Sequence, residues 1–212
     1  MLAQVKYWQS TEGGDGLGSE HLLYSCPTLV LHLRTLFRSM AKHCYVPDDF
    51  GRGTIIPLVK DKLGNANDVN NYRGITLIPV ISKLFELVLR DICSSFLKID
   101  DLQFGFKKGL GCPSAIFLLH ETVDYFLANG SSVFAASLDI KIAFDRVNHF
   151  SLFSALIKSH VPKWIVLILA NWYSKLIVCV RWRKYMSSCF SLLSSVRQGS
   201  AISPALFNMF VN

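Results

Sequence analysis

Ser137-Leu138-Asp139-Ile140-Lys141-Ile142-Ala143-Phe144-Asp145-Arg146-Val147-Asn148-His149 follows an apolar run, Val133 to Leu138, and sets a carboxylate at its end with an aromatic ring five positions on. Read as a strand, residues 133–138 would carry Asp139 out of a core and hold it where a divalent cation could sit, because hard cations take oxygen ligands. A solvated aspartate at a strand terminus is the plainer reading of the same residues. The choice between them depends on the rest of the chain.

The 212 residues carry a formal charge of +7 and six cysteines. That length is enough to bury a substantial core without covalent staples. Cys26, Cys44, Cys93, Cys112, Cys179 and Cys189 include no CxxC pair, so neither a zinc ribbon nor a thioredoxin-type redox motif is indicated, and reduced thiols are expected. The first residues lack a basic stretch followed by an apolar one, so an intracellular protein is expected, with no compartment specified. The most hydrophobic stretch, Trp164 to Val180, is interrupted by Asn171, Ser174 and Lys175 and falls short of the roughly 20 apolar residues of a spanning helix. It reads as a buried helix running into a strand. The positive charge favours an anionic partner, and its clustering at Lys60/Lys62, Lys107/Lys108 and Arg181/Arg183/Lys184 suits a folded groove better than a basic tail.

Residues 1–18 are polar and glycine-rich and read as a flexible segment. Apolar positions 22, 26, 29, 33, 36 and 40 recur at helical spacing, with a break expected at Pro27. Thr54 to Lys60 is predicted to be a strand, and its internal Pro57 argues for an edge position. Arg73 to Ile78 is a second strand that could pair with it, bringing Lys60 and Arg73 to a common face. Pro79 should open an amphipathic helix to about Leu97, and Pro113 another ending near Gly130. Helices near 149–159 and 162–174, a hairpin from 176–183 and 188–193, and a helix from Ser203-Pro204 complete an α+β pattern.

Four segments in order resemble the reverse transcriptase of non-LTR (long interspersed) retrotransposons. They are Asn70 to Leu77 (NNYRGITL), Gln103 to Gly109 (QFGFKKG), Leu138 to His149 (LDIKIAFDRVNH) and Val196 to Asn208 (VRQGSAISPALFN). Asp15 to Leu22 resembles a weaker upstream motif. The resemblance implies a right-hand polymerase, with fingers and fingers–palm helices over 19–130 and a partial palm over 131–212. It implies RNA-directed DNA polymerase activity on an RNA template and DNA primer with dNTPs. Asp139 then corresponds to the first catalytic, metal-binding carboxylate, and Ile140 offers its backbone carbonyl to the same Mg2+. In the intact family two magnesium ions about 4 Å apart serve the attacking and leaving oxygens. Phe144 matches the ring that disfavours a 2′-hydroxyl, Lys60 and Arg73 the cations that clamp the triphosphate, and Gln198 and Gly199 the loop beside the nascent base pair. Gln103, Gly105 and Lys107 match a segment lying against the template. Arg197 is open between a phosphate contact and a surface arginine, and Asp145 between capping the next helix and pairing with Arg146 or another base.

The pattern departs from the family at Ile142, Ser200 and Asn212. No aromatic-Ala-Asp-Asp motif follows Asp139; Asp48-Asp49 and Asp100-Asp101 lie upstream, in loops. One carboxylate does not make a two-metal site, so polymerase activity from this chain alone is not expected. The alternative is a non-catalytic nucleic-acid-binding remnant of a retrotransposon.

Overall fold

The computed structural model describes residues 15–96 and 99–212, so most of the predicted flexible segment 1–18 lies outside the described residues. Pro27 divides the first helical stretch as expected: α1 spans Ser19–Leu23, and Pro27 stands at the N-cap of α2, Thr28–His43. Its fixed φ of −56° suits a helix start, and it has no N–H to leave unpaired. Leu22, Leu33, Phe37 and Met40 are buried, whereas Cys26 and Leu36 are exposed, so the buried stripe runs through Phe37.

A short 3-10 turn, Asp48–Gly51, leads into β1, Arg52–Val59, which returns as β2, Tyr72–Leu77, in the antiparallel register Thr54↔Leu77 to Val59↔Tyr72. Helix α3, Val80–Cys93, follows Pro79 and stops short of Leu97. Then come α4, Cys112–Ala128, a 3-10 turn at Ala143–Arg146, α5, His149–Lys158, and α6, Lys163–Tyr173. Strand β3, Ile177–Trp182, emerges directly from α6, as read from the apolar run. Its return is split into β4, Tyr185–Met186, and β5, Phe190–Ser191, and α7 covers Ser203–Val211. Among the described residues no helix is long and apolar enough to cross a membrane.

The sheet runs β2-β1-β3, with β4 and β5 both on the far side of β3. Strand β1 is therefore internal, not the edge that Pro57 suggested. Strand β3 pairs with β1, in parallel, only over Arg52–Ile55, so Pro57 lies past the point where a donor toward β3 is needed. The core gathers α2, α3, α5, α6 and α7. Phe85 stacks at 5.0 Å from Phe37 and 5.6 Å from Trp172, and Phe50 meets Trp172 edge-on at 6.0 Å. Burying each such side chain contributes about 1.5–3 kcal/mol.

The strand expected over 133–138 does not form. Residues 131–140 carry no regular structure, and Phe134 and Leu138 are 96% and 95% exposed. A strand exists through neighbours that take its backbone hydrogen bonds, and among the described residues no other strand is aligned with this segment. The preceding α4 has no buried residue either, although Ile116, Phe117, Leu119, Phe126 and Leu127 are apolar.

Candidate functional site

The β1–β2 hairpin positions two of the cations singled out in the sequence. Lys60, just past β1, extends the hairpin ladder by donating its backbone N–H to the carbonyl of Asn71, just before β2, at 2.8 Å. Leu58 stands opposite Arg73. Because positions two apart share a face, Lys60 and Arg73 lie diagonally on one face of the hairpin, both exposed, as predicted. Lys60 also donates from Nζ to the Asn70 carbonyl at 2.8 Å.

Three residues beyond Arg73, the outer edge of β2 is occupied by the loop before α7. The Thr76 N–H donates to the Gln198 carbonyl at 2.6 Å. Gly199 has φ +107°, and a Cβ there would fall 2.6 Å from the Thr76 carbonyl oxygen, so the approach of this loop to β2 requires glycine. On its other flank the loop joins the turn that holds Phe144. Val196 N–H donates to the Phe144 carbonyl at 2.9 Å, Ser195 N–H to the Val147 carbonyl at 2.8 Å, and His149 Nε2 lies 2.8 Å from the Ser195 carbonyl. The Phe144 ring is half-buried, 4.8 Å from Phe207 and 5.8 Å from Phe106. The hairpin, the turn at 143–146 and the Gln198–Gly199 loop are thus one connected unit.

Arg197 is not a surface residue. It is 5% exposed and pairs at 2.8 Å with Glu86 of α3, itself 1% exposed. The other Glu86 oxygen accepts the Ala201 N–H at 2.7 Å, and the Arg197 guanidinium lies 5.4 Å from the Trp172 ring. The Phe50 carbonyl accepts from Arg197, Trp172 and Ser82 at 3.3, 2.9 and 3.1 Å. Burial pushes the Glu86 carboxyl above its ordinary range, opposed by the Arg197 charge and the Ala201 N–H. The sequence reading missed Glu86. The available signal was its position on the Leu89–Cys93 stripe of α3, where an acid demands a partner.

Asp145 does not cap α5. Asn148 does, accepting the Ser151 N–H at 3.0 Å. The Asp145 carboxyl is raised by burial, with Lys60 as the opposing charge, which brings the Lys60 side chain within electrostatic reach of the turn. Gln103 donates to Asn208 at 2.8 Å, and Asn208 donates to the Gly105 carbonyl at 3.0 Å, so this segment is tied to α7; Lys107 donates to the Asp100 carbonyl.

Asp139 and Ile140 lie exposed in the irregular segment. Among the described residues no three His, Cys, Asp or Glu side chains converge where a metal ion could be held. One carboxylate and one carbonyl do not fit magnesium, which demands near-octahedral oxygen coordination and is usually shared between carboxylates and phosphates.

The same end of the sheet gathers more charge. Strands β1 and β3 run parallel, so Lys60 and the β3–β4 turn, Arg183 and Lys184, leave at one end, where β2 begins with Tyr72 and Arg73. Tyr72 and Trp182 meet there edge-on at 5.2 Å. Two of the sequence clusters, Lys60/Lys62 and Arg181/Arg183/Lys184, are therefore neighbours.

Residues 60–212 match the family described as reverse transcriptase (RNA-dependent DNA polymerase). The RNA-directed DNA polymerase from mobile element jockey of Drosophila melanogaster is 31% identical over 188 residues, covering 85% of this chain and 20% of that protein. The probable RNA-directed DNA polymerase from transposon X-element of the same organism is 28% identical over 188 residues, with the same coverage. Its Retrovirus-related Pol polyprotein from type-2 retrotransposable element R2DM is 25% identical over 151 residues, covering 71% of this chain and 14% of that protein. The chain spans about a fifth or less of the length of these relatives. It belongs to the reverse transcriptase family, as a domain of the non-LTR retrotransposon type.

Proposed function

We propose that the chain forms the fingers, over 19–130, and part of the palm, over 131–212, of a reverse transcriptase, and that it grips an RNA template, a DNA primer and an incoming dNTP. The observation that carries this reading is the Gln198–Gly199 loop lying on the outer edge of β2 at Thr76, three residues along the strand from Arg73, and bonded through its other flank to the Phe144 turn. Three sequence segments with no local reason to meet form one surface there. In this reading Lys60 and Arg73 take the triphosphate, a compact charge beside a planar fork. The Gly199 backbone lets the nascent base pair approach, with the Gln198 amide beside it. Phe144, backed by Phe207 and Phe106, restricts the space around the sugar. Asp139 and the Ile140 carbonyl retain the assignment to a metal, but their donor set alone supports no step of the chemistry.

The chain alone is therefore expected to bind primer–template without extending it. Fluorescence anisotropy with a labelled RNA–DNA hybrid should show salt-dependent binding, weakened about tenfold or more by Lys60→Glu with Arg73→Glu. Absent or salt-insensitive binding rejects the reading. Extension of a primed RNA template with dNTPs and magnesium, abolished by Asp139→Ala, would overturn the expectation that this chain is catalytically incomplete.

A further inference from the structure

Outside the unit described above, the sheet sets two thiols against each other. Strand β5 pairs with β3 in the register Ile177↔Ser191 and Val178↔Phe190, and one further step puts Cys179 opposite Cys189. The 2.9 Å bond from the Leu192 N–H to the Leu176 carbonyl makes 176/192 a hydrogen-bonded pair. Antiparallel ladders alternate, so 178/190 is hydrogen-bonded and 179/189 is not; in pairs of the second kind the Cα atoms stand about 4.5 Å apart and the side chains are closest. Disulfides span Cα distances of about 4.4–6.8 Å, so no backbone movement is needed to join this pair.

The ladder breaks immediately beyond it. Ser187 N–H donates to the Val180 carbonyl and the Ser187 hydroxyl accepts the Val180 N–H, both at 2.9 Å. The register then resumes shifted by one residue at Arg181↔Met186. Cys189 thus sits exposed between two short strands, while Cys179 is half-buried, 4.0 Å from the Gly53 carbonyl of β1.

We propose that Cys179 and Cys189 are a redox modification site, closing reversibly to a cross-strand disulfide on reaction with a low-molecular-weight disulfide such as glutathione disulfide. The Cys189 thiolate attacks one glutathione sulfur, forming a mixed disulfide and releasing one glutathione thiolate, which takes up a proton. The deprotonated Cys179 then attacks the Cys189 sulfur, forming the protein disulfide and releasing the second glutathione. Two electrons pass from the protein to the oxidant. The Cys179 thiol is the chief influence on Cys189 and raises its pKa, with the Arg52 charge opposing, so closure speeds up as pH rises through the alkaline range. The bond would fasten the return strand behind the turn carrying Arg183 and Lys184.

The test treats the purified chain with glutathione disulfide, blocks remaining thiols by alkylation and digests it with trypsin without reduction. Mass spectrometry should find the peptide Leu176–Arg181 linked to Tyr185–Arg197, with a loss of two hydrogens relative to the free pair, reversed by dithiothreitol. In Cys179→Ser the same treatment should leave Cys189 as the glutathione mixed disulfide. Cys26 reports that oxidant reached the protein, because it is exposed and its thiol is held below the ordinary range by the Thr28 hydroxyl. Glutathionylated Cys26 with no linked peptide, or Cys189 in the unsubstituted chain halted at the mixed disulfide, overturns the proposal. A linked peptide that forms equally well in concentrated urea overturns it too, since the pairing would then owe nothing to the fold.

Discussion

Glu86 lies on the stripe of α3 that also presents Ser82, Leu89 and Cys93 to the core, so its charge enters an apolar interior and must be answered there. Arg197 answers it from more than a hundred residues away, and the Ala201 N–H takes the second oxygen. Because both charges are desolvated, removing one partner should cost far more than the pair is worth. Arg197→Met or Glu86→Met alone is expected to lower unfolding free energy in urea by about 3–5 kcal/mol, and the double substitution to recover most of that loss. Single variants within 1 kcal/mol of the parent would mean that the pair is solvated. Cys93 makes a second test of the same core. Burial pushes its thiol up from 9.0 to about 11. The folded chain then holds a proton that the unfolded chain releases, so this contribution to stability is complete below pH 9 and lost as pH rises toward about 11. Melting curves across that window should decline by up to about 2 kcal/mol, and Cys93→Ala should flatten the decline even though it lowers the plateau.

At the scale of elements, what could be read from the chain was local. Prolines 27 and 79 mark helix starts because a fixed φ and a missing donor act on their own neighbours, and the stripes of α3 and α6 repeat within a few turns. The Lys60–Arg73 diagonal followed from two short strands joined by a polar linker. The partners of Glu86 and the docking of Gly199 on Thr76 were illegible because no periodicity links positions so far apart. The expected strand 133–138 failed for the converse reason: its residues suit a strand, but a strand's hydrogen bonds belong to its neighbours. Helix α4 and the segment after it consequently contribute little buried surface, and such regions open first. Limited trypsin digestion should cut at Lys108 and Lys141 before Lys83 of α3 or Lys175 after α6. Early cleavage at Lys83 or Lys175 would show instead that the core itself is the weaker part.

Across the whole molecule the +7 charge is unevenly placed, and the sheet topology explains where it collects. Parallel pairing of β1 with β3 sends Lys60, Lys62, Arg183 and Lys184 off one end, and antiparallel β2 returns Arg73 to it. Trp182 and Tyr185 flank the turn, both exposed, and give that end aromatic surface of the kind that stacks on bases. A chain that binds nucleic acid through this end releases counterions in proportion to the phosphates it neutralises, about 0.9 per contact on a duplex. Arg183→Glu with Lys184→Glu should then reduce the slope of log affinity against log salt by about 2, with little change in melting temperature because both side chains lie in a solvent-exposed turn. The Lys107/Lys108 cluster supplies the internal comparison, since it lies in a separate loop. If Lys107→Glu with Lys108→Glu flattens the slope and the turn variant does not, the phosphate track runs along the segment tied to α7, and the basic end of the sheet is solvated surface.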